Sequence, residues 1–239
     1  MTHREVNRKR ESWAMGDEEP TDGRKPDPPP ISRRFGNVVL FARSMHDGQV
    51  RKGTDIPYLS HLLAVAALAM EDAATDPDLI DRTETIAIAA VLHDVVEDTI
   101  DRGRRRVTVE QLRGRFGDEV ARIVEGCSDA TEPTSDGEKG LWRDRKQAYV
   151  DHLAEADSAT LCVSLADKRH NARCIVEDAT AALAAGDDFW GRFNAGPDDQ
   201  LWYYDELAKV FSGRRPGSAA DELRRTVDRL RELAGEVST

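Results

Sequence analysis

A chain of 239 residues with 39% hydrophobic residues is long enough to bury a sizeable core, and its formal charge of -11 excludes a protein whose whole surface grips nucleic acid. No apolar run approaches the roughly 20 residues that span a bilayer, and MTHREVNRKRESW has no stretch suited to a signal peptide, so the chain reads as cytoplasmic with no membrane partner. Cys127, Cys162 and Cys174 are too scattered for a disulfide framework or a CxxC metal site and read as reduced core residues.

Residues 1–34 are charged and polar and end in GRKPDPPP, a composition without the apolar periodicity that offsets ordering entropy, so they read as a disordered tail. Helical patterning begins at Phe35 with FGNVVLFARSMHDG and stops at a glycine suited to a C-cap. A second helix, about Tyr58 to Ala73, and a third, about Glu84 to Asp98, are apolar on most faces and are expected to form a buried central pair. Thr108 with Gln111 three residues later makes a capping-box pattern for VEQLRGRFG, and Asp118 opens DEVARIVEGCSDA after a glycine. Beyond a polar loop at 131–140, helices are expected at about 141–155, 158–185, 198–212 and 218–235; strand-like alternation is nearly absent. The last helix sets Leu223, Val227, Leu230 and Ala234 on one side, which points to docking on the core. The expected organisation is therefore a tail (1–34), an all-α domain (35–212) and a C-terminal amphipathic helix (213–239).

The strongest chemical signal is His93-Asp94, set inside the apolar run IAIAAVLHDVV. Burying an imidazole beside a carboxylate is costly unless both are paired or bound to a cation. Asp167 interrupts a second apolar segment, TLCVSLADKRHN, and His61 a third, YLSHLLAVAALA. One buried histidine is more often a hydrogen-bonded core residue than a ligand, and Asp167 alone could pair with Arg or Lys. Three separate intrusions of ligand-type residues into three apolar helices each need a compensating partner, and one shared ion such as Mn²⁺, Fe²⁺ or Zn²⁺ supplies all of them.

The order His61, His93-Asp94, Asp167 resembles the H…HD…D signature of the HD phosphohydrolase superfamily. HDGQVRKGTDIPYLSH (46–61), AAVLHDVVEDT (89–99), TVEQLRGRFGDEVARIVEGCSDAT and LADKRHNAR (165–173) are similar to the hydrolase domain of RelA/SpoT homologues, over about residues 35–185. FWGRFNAGPDDQLWYYDELAKVF (189–211) resembles the tail of small stand-alone alarmone hydrolases, the type of the metazoan SpoT homologue. Three departures bear on the nucleotide pocket: Leu62 follows the first ligand where proline is common, Gly126-Cys127-Ser128-Asp129 replaces a GVTK-like string, and Cys174 replaces a small hydroxyl residue.

The resemblance implies an all-α HD-domain helical bundle with a buried site for Mn²⁺ or another divalent transition metal, held by His61, His93, Asp94 and Asp167. It assigns acid-base work to Glu97 and Asp98, which an unbroken helix would carry on the face of the ligands. It gives Arg51, Lys52, Tyr58 and Asn171 to substrate binding, where a guanidinium stacks on a base or forks onto phosphate and an ammonium offers a compact charge. Arg102, Arg104, Arg105 and Arg106 are either a solvated loop or an attractor of anionic substrate. The implied reaction is hydrolysis of the 3′-pyrophosphate of guanosine tetra- or pentaphosphate to GDP or GTP and pyrophosphate. The alternatives are an HD hydrolase of another nucleotide, an adenosine alarmone or an RNA 3′-pyrophosphate, acting as antitoxin to a toxic synthetase partner, or a partner-binding HD scaffold.

Overall fold

The computed structural model describes residues 31–98, 107–128, 142–192 and 196–237, with backbone alone at 97, 98, 192, 236 and 237. Residues 1–30 of the tail expected at 1–34, and the arginine loop at 102–106, lie outside the described residues; Arg33 and Arg34 belong to the first helix. Among the described residues the architecture is helical: α1 (Arg33–Met45), α2 (Leu59–Ala74), α3 (Thr83–Leu92), α4 (Val95–Asp98), α5 (Val109–Phe116), α6 (Asp118–Cys127), α7 (Trp142–Glu155), α8 (Ser158–Ala185), α9 (Pro197–Arg214) and α10 (Ser218–Val237). Among the described residues the extended chain contributes only an isolated bridge between Val50 and Pro57, which closes the α1–α2 loop.

Local chemistry sets the helix ends. Ser32 accepts from the Arg34 amide, which starts α1 two residues ahead of the expected Phe35. Thr108 and Gln111 form the expected reciprocal capping box, at 3.2 and 3.0 Å. Asp157 caps α8 by accepting from the amides of Ala159 and Thr160, and Gly186, at φ +75°, ends the same 28-residue helix.

One expectation needs correction. The helix expected to run unbroken from Glu84 to Asp98 is interrupted at His93-Asp94. The Ala90 carbonyl, which the Asp94 amide would use in a continuous helix, receives the His93 ring Nδ1 at 2.8 Å. Glu97 and Asp98 therefore stand on a separate short turn, so their placement does not follow from spacing along one helix; their side chains lie outside the described residues.

Two large hydrophobic cores and one smaller cluster share α8. The first gathers α1, α2, α3, α5, α6 and the opening turns of α8, with Leu62, Val65, Ile86, Ile88, Leu92 and Val163 fully buried. The second joins α7, α9 and α10 to the middle of α8 through Leu153, Leu165, Leu207, Phe211 and Leu223. The apolar side of α10 is thus buried, with Leu223, Val227 and Leu230 in this core. A buried Arg169 adds a polar clamp: it donates to Asp72 of α2 at 2.9 Å and, through Nε, to Glu222 of α10 at 3.1 Å. The fit between α2, α8 and α10 is fixed by charge as well as by packing.

Candidate metal centre

The first core brings together the four ligand-type residues. α2 delivers His61, the α3–α4 break delivers His93 and Asp94, and α8 delivers Asp167. His61 Nε2 and His93 Nε2 are 3.3 Å apart. Asp94 Oδ2 lies 3.4 and 3.0 Å from them, and Asp167 Oδ1 lies 3.3 and 3.4 Å from them. Two donors each about 2.1 Å from one ion, at roughly 90 to 110° to each other, stand about 3.0–3.4 Å apart. These spacings fit pairs of donors that share one cation, and the two-nitrogen, one-oxygen set of His61, His93 and Asp94 suits a borderline divalent ion, with Asp167 against both histidines but outside that set. His61, His93 and Asp94 also keep a ligand atom each within 4.8 Å of the other two.

Neighbouring groups hold these donors in place, as outer partners do around metal-binding sites. The Tyr58 hydroxyl donates to Asp94 Oδ2 at 2.5 Å, and the His46 ring stacks on Tyr58 at 5.2 Å. Asn171 donates to Asp167 Oδ1 and Lys168 to Asp167 Oδ2, both at 2.6 Å. Asn171 sits within α8 and supports a carboxylate. The bond of His93 Nδ1 to the Ala90 carbonyl leaves its Nε2 lone pair facing the cluster. His61 Nδ1 lies 2.9 Å from His170 Nδ1, so one of the two carries the shared proton. Burial, then the nearby His61, Arg173 and Arg51, push the His170 pKa down to about 4, which keeps it neutral and able to accept.

The charges are strongly coupled. Burial opposes protonation of His61 and His93, but the Asp167 and Asp94 carboxylates outweigh it and raise both imidazoles, His93 well above 6.5. Burial likewise opposes ionisation of the two acids. His93 and His61 overcome it at Asp94, and Lys168 with the same histidines at Asp167, so both stay well below 3.8. Protons here do what a cation would do, and a metal must displace them.

A cavity of about 340 Å³ opens beside the cluster. Arg51, Lys52, Tyr58, His61 and Asn171 all line it, so the residues expected to bind substrate share one space with a candidate ligand. Sequence reasoning missed its far wall, formed by Trp142 and Lys146 of α7 and Gln200, Tyr203 and Tyr204 of α9. Trp142 packs against Tyr203 at 5.9 Å, while Arg143 covers Trp202 at 4.2 Å and pairs with Asp199 at 2.7 Å. The aromatic runs in both segments were the available signal, but nothing local says that they meet. Cys174, one of the sequence departures, lines the same cavity and packs against the His170 ring at 3.7 Å. Arg173 instead pairs with Glu177 on the surface.

Helices that converge two histidines and two aspartates beside a cationic cavity define a helical protein with a candidate centre for a divalent metal. The chain belongs to the HD domain family, whose model matches residues 39–195. It is 32% identical over 149 residues to the bifunctional (p)ppGpp synthase/hydrolase SpoT of Escherichia coli, covering 60% of this chain and 18% of that one. It is 36% identical over 139 residues to a guanosine-3′,5′-bis(diphosphate) 3′-pyrophosphohydrolase of Danio rerio, covering 57% of this chain and 66% of the relative. The chain thus spans about a fifth of the first relative and just under two thirds of the second. A solved metazoan orthologue of SpoT that hydrolyses ppGpp shares the fold, with a TM-score of 0.62 at 21% identity over 84% of this chain and 97% of that one. A Listeria monocytogenes structure matches with a TM-score of 0.53 at 27% identity, over 72% and 94% of the two chains.

Proposed function

We propose that this protein hydrolyses the 3′-pyrophosphate of guanosine tetra- and pentaphosphate, releasing pyrophosphate and GDP or GTP, with Mn²⁺ held by His61, His93, Asp94 and Asp167. The observation that carries the reading is the set of donor spacings of 3.0–3.4 Å at the edge of a cavity lined by Arg51, Lys52, Lys146 and Lys168. The similarity to 3′-pyrophosphohydrolases supports it further.

When bound, a divalent ion lowers the pKa of water and stabilises charge on phosphoryl oxygens. The protein's own residues do the rest. Tyr58 fixes Asp94, and Lys168 with Asn171 fixes Asp167, so both carboxylates keep one orientation. Lys168, beside Asp167 and on the cavity wall, meets the pyrophosphate, while Arg51 and Lys52 bind the nucleotide farther along. Glu97 and Asp98 take the proton from the attacking water and return one to the departing 3′-oxygen.

The test is incubation of the purified, Mn²⁺-loaded protein with guanosine and adenosine 3′-pyrophosphates, with products separated by ion exchange. The expected result is one pyrophosphate per GDP formed, abolished by chelator and restored by Mn²⁺. No release of pyrophosphate from any of these nucleotides would overturn the reading.

A further inference from the structure

The cavity floor is one stripe of α8. Asp167, Asn171, Cys174, Ile175 and Asp178 recur at helical spacing, so they lie on one face, and Asn171, Cys174, Ile175 and Asp178 line the cavity. From Asp167 to Asp178 the helix rises about 16 Å, which separates a metal end from a far end. The cavity has four cationic side chains in its lining, Arg51, Lys52, Lys146 and Lys168, and one carboxylate, Asp178. An acid in a cavity for a polyanion repels phosphate, so its place at the far end marks where the uncharged part of the ligand lies.

Arg51 fixes that orientation. Its Nη2 lies 3.6 Å from Asp178 Oδ2, with both side chains mostly covered. At 3.6 Å this is an ion contact rather than a hydrogen bond, so the carboxylate keeps acceptor capacity for another group. The guanidinium is thereby drawn to the far end, where its plane suits stacking on a base. A base stacked there would have its edge within reach of Asp178.

We propose that Asp178 is a specificity-determining residue that reads the Watson–Crick edge of a guanine base. An ionised carboxylate only accepts hydrogen bonds, and guanine offers it two adjacent donors, N1–H and the 2-amino group. Adenine presents one donor, its 6-amino group, beside the N1 lone pair, which faces a carboxylate unfavourably. A site built to accept from a given donor pair discriminates strongly against a ligand that lacks one. The inference rests on the nucleotide reading of the cavity and names the residue that recognises its base.

The test has a catalytic arm and a binding arm. Wild type, Asp178→Asn, Asp178→Ala and Arg51→Gln are assayed for kcat/KM on guanosine and adenosine 3′-pyrophosphates, and for calorimetric binding of GDP and ADP without turnover. Wild type is expected to favour guanosine, and both Asp178 variants to lower the guanosine-to-adenosine ratio by about tenfold to a hundredfold, chiefly through KM. Arg51→Gln is expected to weaken both bases alike. An unchanged ratio in the Asp178 variants, even with lower activity, would mean that Asp178 only positions Arg51, and would overturn the proposal. If wild type turns over neither nucleotide but binds GDP in preference to ADP, and Asp178→Asn erases that preference, the base reading stands and the proposed reaction falls. Equal binding of GDP and ADP by wild type overturns the base reading whatever the turnover.

Discussion

Removing the metal should make the stability of this protein depend on pH in a way that the loaded protein avoids. His61 and His93 carry pKa values above 6.5 because Asp94 and Asp167 face them at 3.0–3.4 Å. A group raised on folding contributes stability that is fully present below its unfolded pKa and is lost as pH rises through the folded value. The metal-free protein should therefore weaken from about pH 6.5 upward, by about 1.4 kcal/mol per pH unit for each proton that the folded state alone retains. For a chain of this size that corresponds to roughly 3–6 °C in Tm per pH unit and proton. A bound metal has already displaced those protons, and its affinity grows with pH, so the loaded protein should stay nearly level. Below pH 6.5 the two acids matter instead: depressed well under 3.8, they keep their contribution until the pH falls below the usual carboxylate range. Calorimetric melts at pH 6, 7, 8 and 9, with chelator or with excess Mn²⁺, test this. A gap between the two curves that stays constant from pH 6 to 9 would refute the coupling of imidazole protons to the metal site.

Replacing His170 by Leu removes the acceptor opposite His61 Nδ1 and should weaken metal affinity about 10- to 100-fold; a chelator-competition titration matching wild type would remove it from the support of the site. Glu97→Gln and Asp98→Asn should retain metal while lowering turnover by about 10²-fold, as for lost proton transfer; single-turnover rates near wild type in both would end their catalytic assignment. Arg169→Met strands Asp72, whose pKa burial already raises, and should cost about 3–5 kcal/mol in urea unfolding; a loss below about 1 kcal/mol would show that the clamp joining α2, α8 and α10 is dispensable.

The polar cluster was legible because burial makes misplaced polarity conspicuous: His61, His93, Asp94 and Asp167 each interrupt an apolar run. The break at His93-Asp94 was not, because it depends on a ring nitrogen reaching a carbonyl three residues back, which hydrophobic periodicity does not register. His170 escaped notice because it stands among polar neighbours in LADKRHN, where one more histidine disturbs no pattern. Asp178 reads as an ordinary surface acid in CIVEDATAAL; only the approach of the α1–α2 loop carrying Arg51 makes it a cavity residue. Trp142 and Tyr203 lie 61 positions apart by their numbers, and their contact is a product of tertiary packing alone.

The shared helix explains how such a site can keep its chemistry while its ligand preference changes. α8 belongs to both cores, so Asp167 and Asp178 ride on one rigid element whose length fixes the span between metal end and far end. The other donors sit in the first core, among side chains with almost no exposure, where a shift of one methylene is felt. The facing wall, with Trp142, Lys146, Gln200 and Tyr203, hangs from α7 and α9 in the second core. Substitutions on that wall can reshape the cavity without passing strain to His61, His93 or Asp94, because among the described residues the only element common to both cores is α8, clamped by Arg169 to α2 and α10. Loss of the clamp would couple the two ends, so a change on the α9 wall that is silent for metal affinity in the intact protein should become visible once Arg169 is gone.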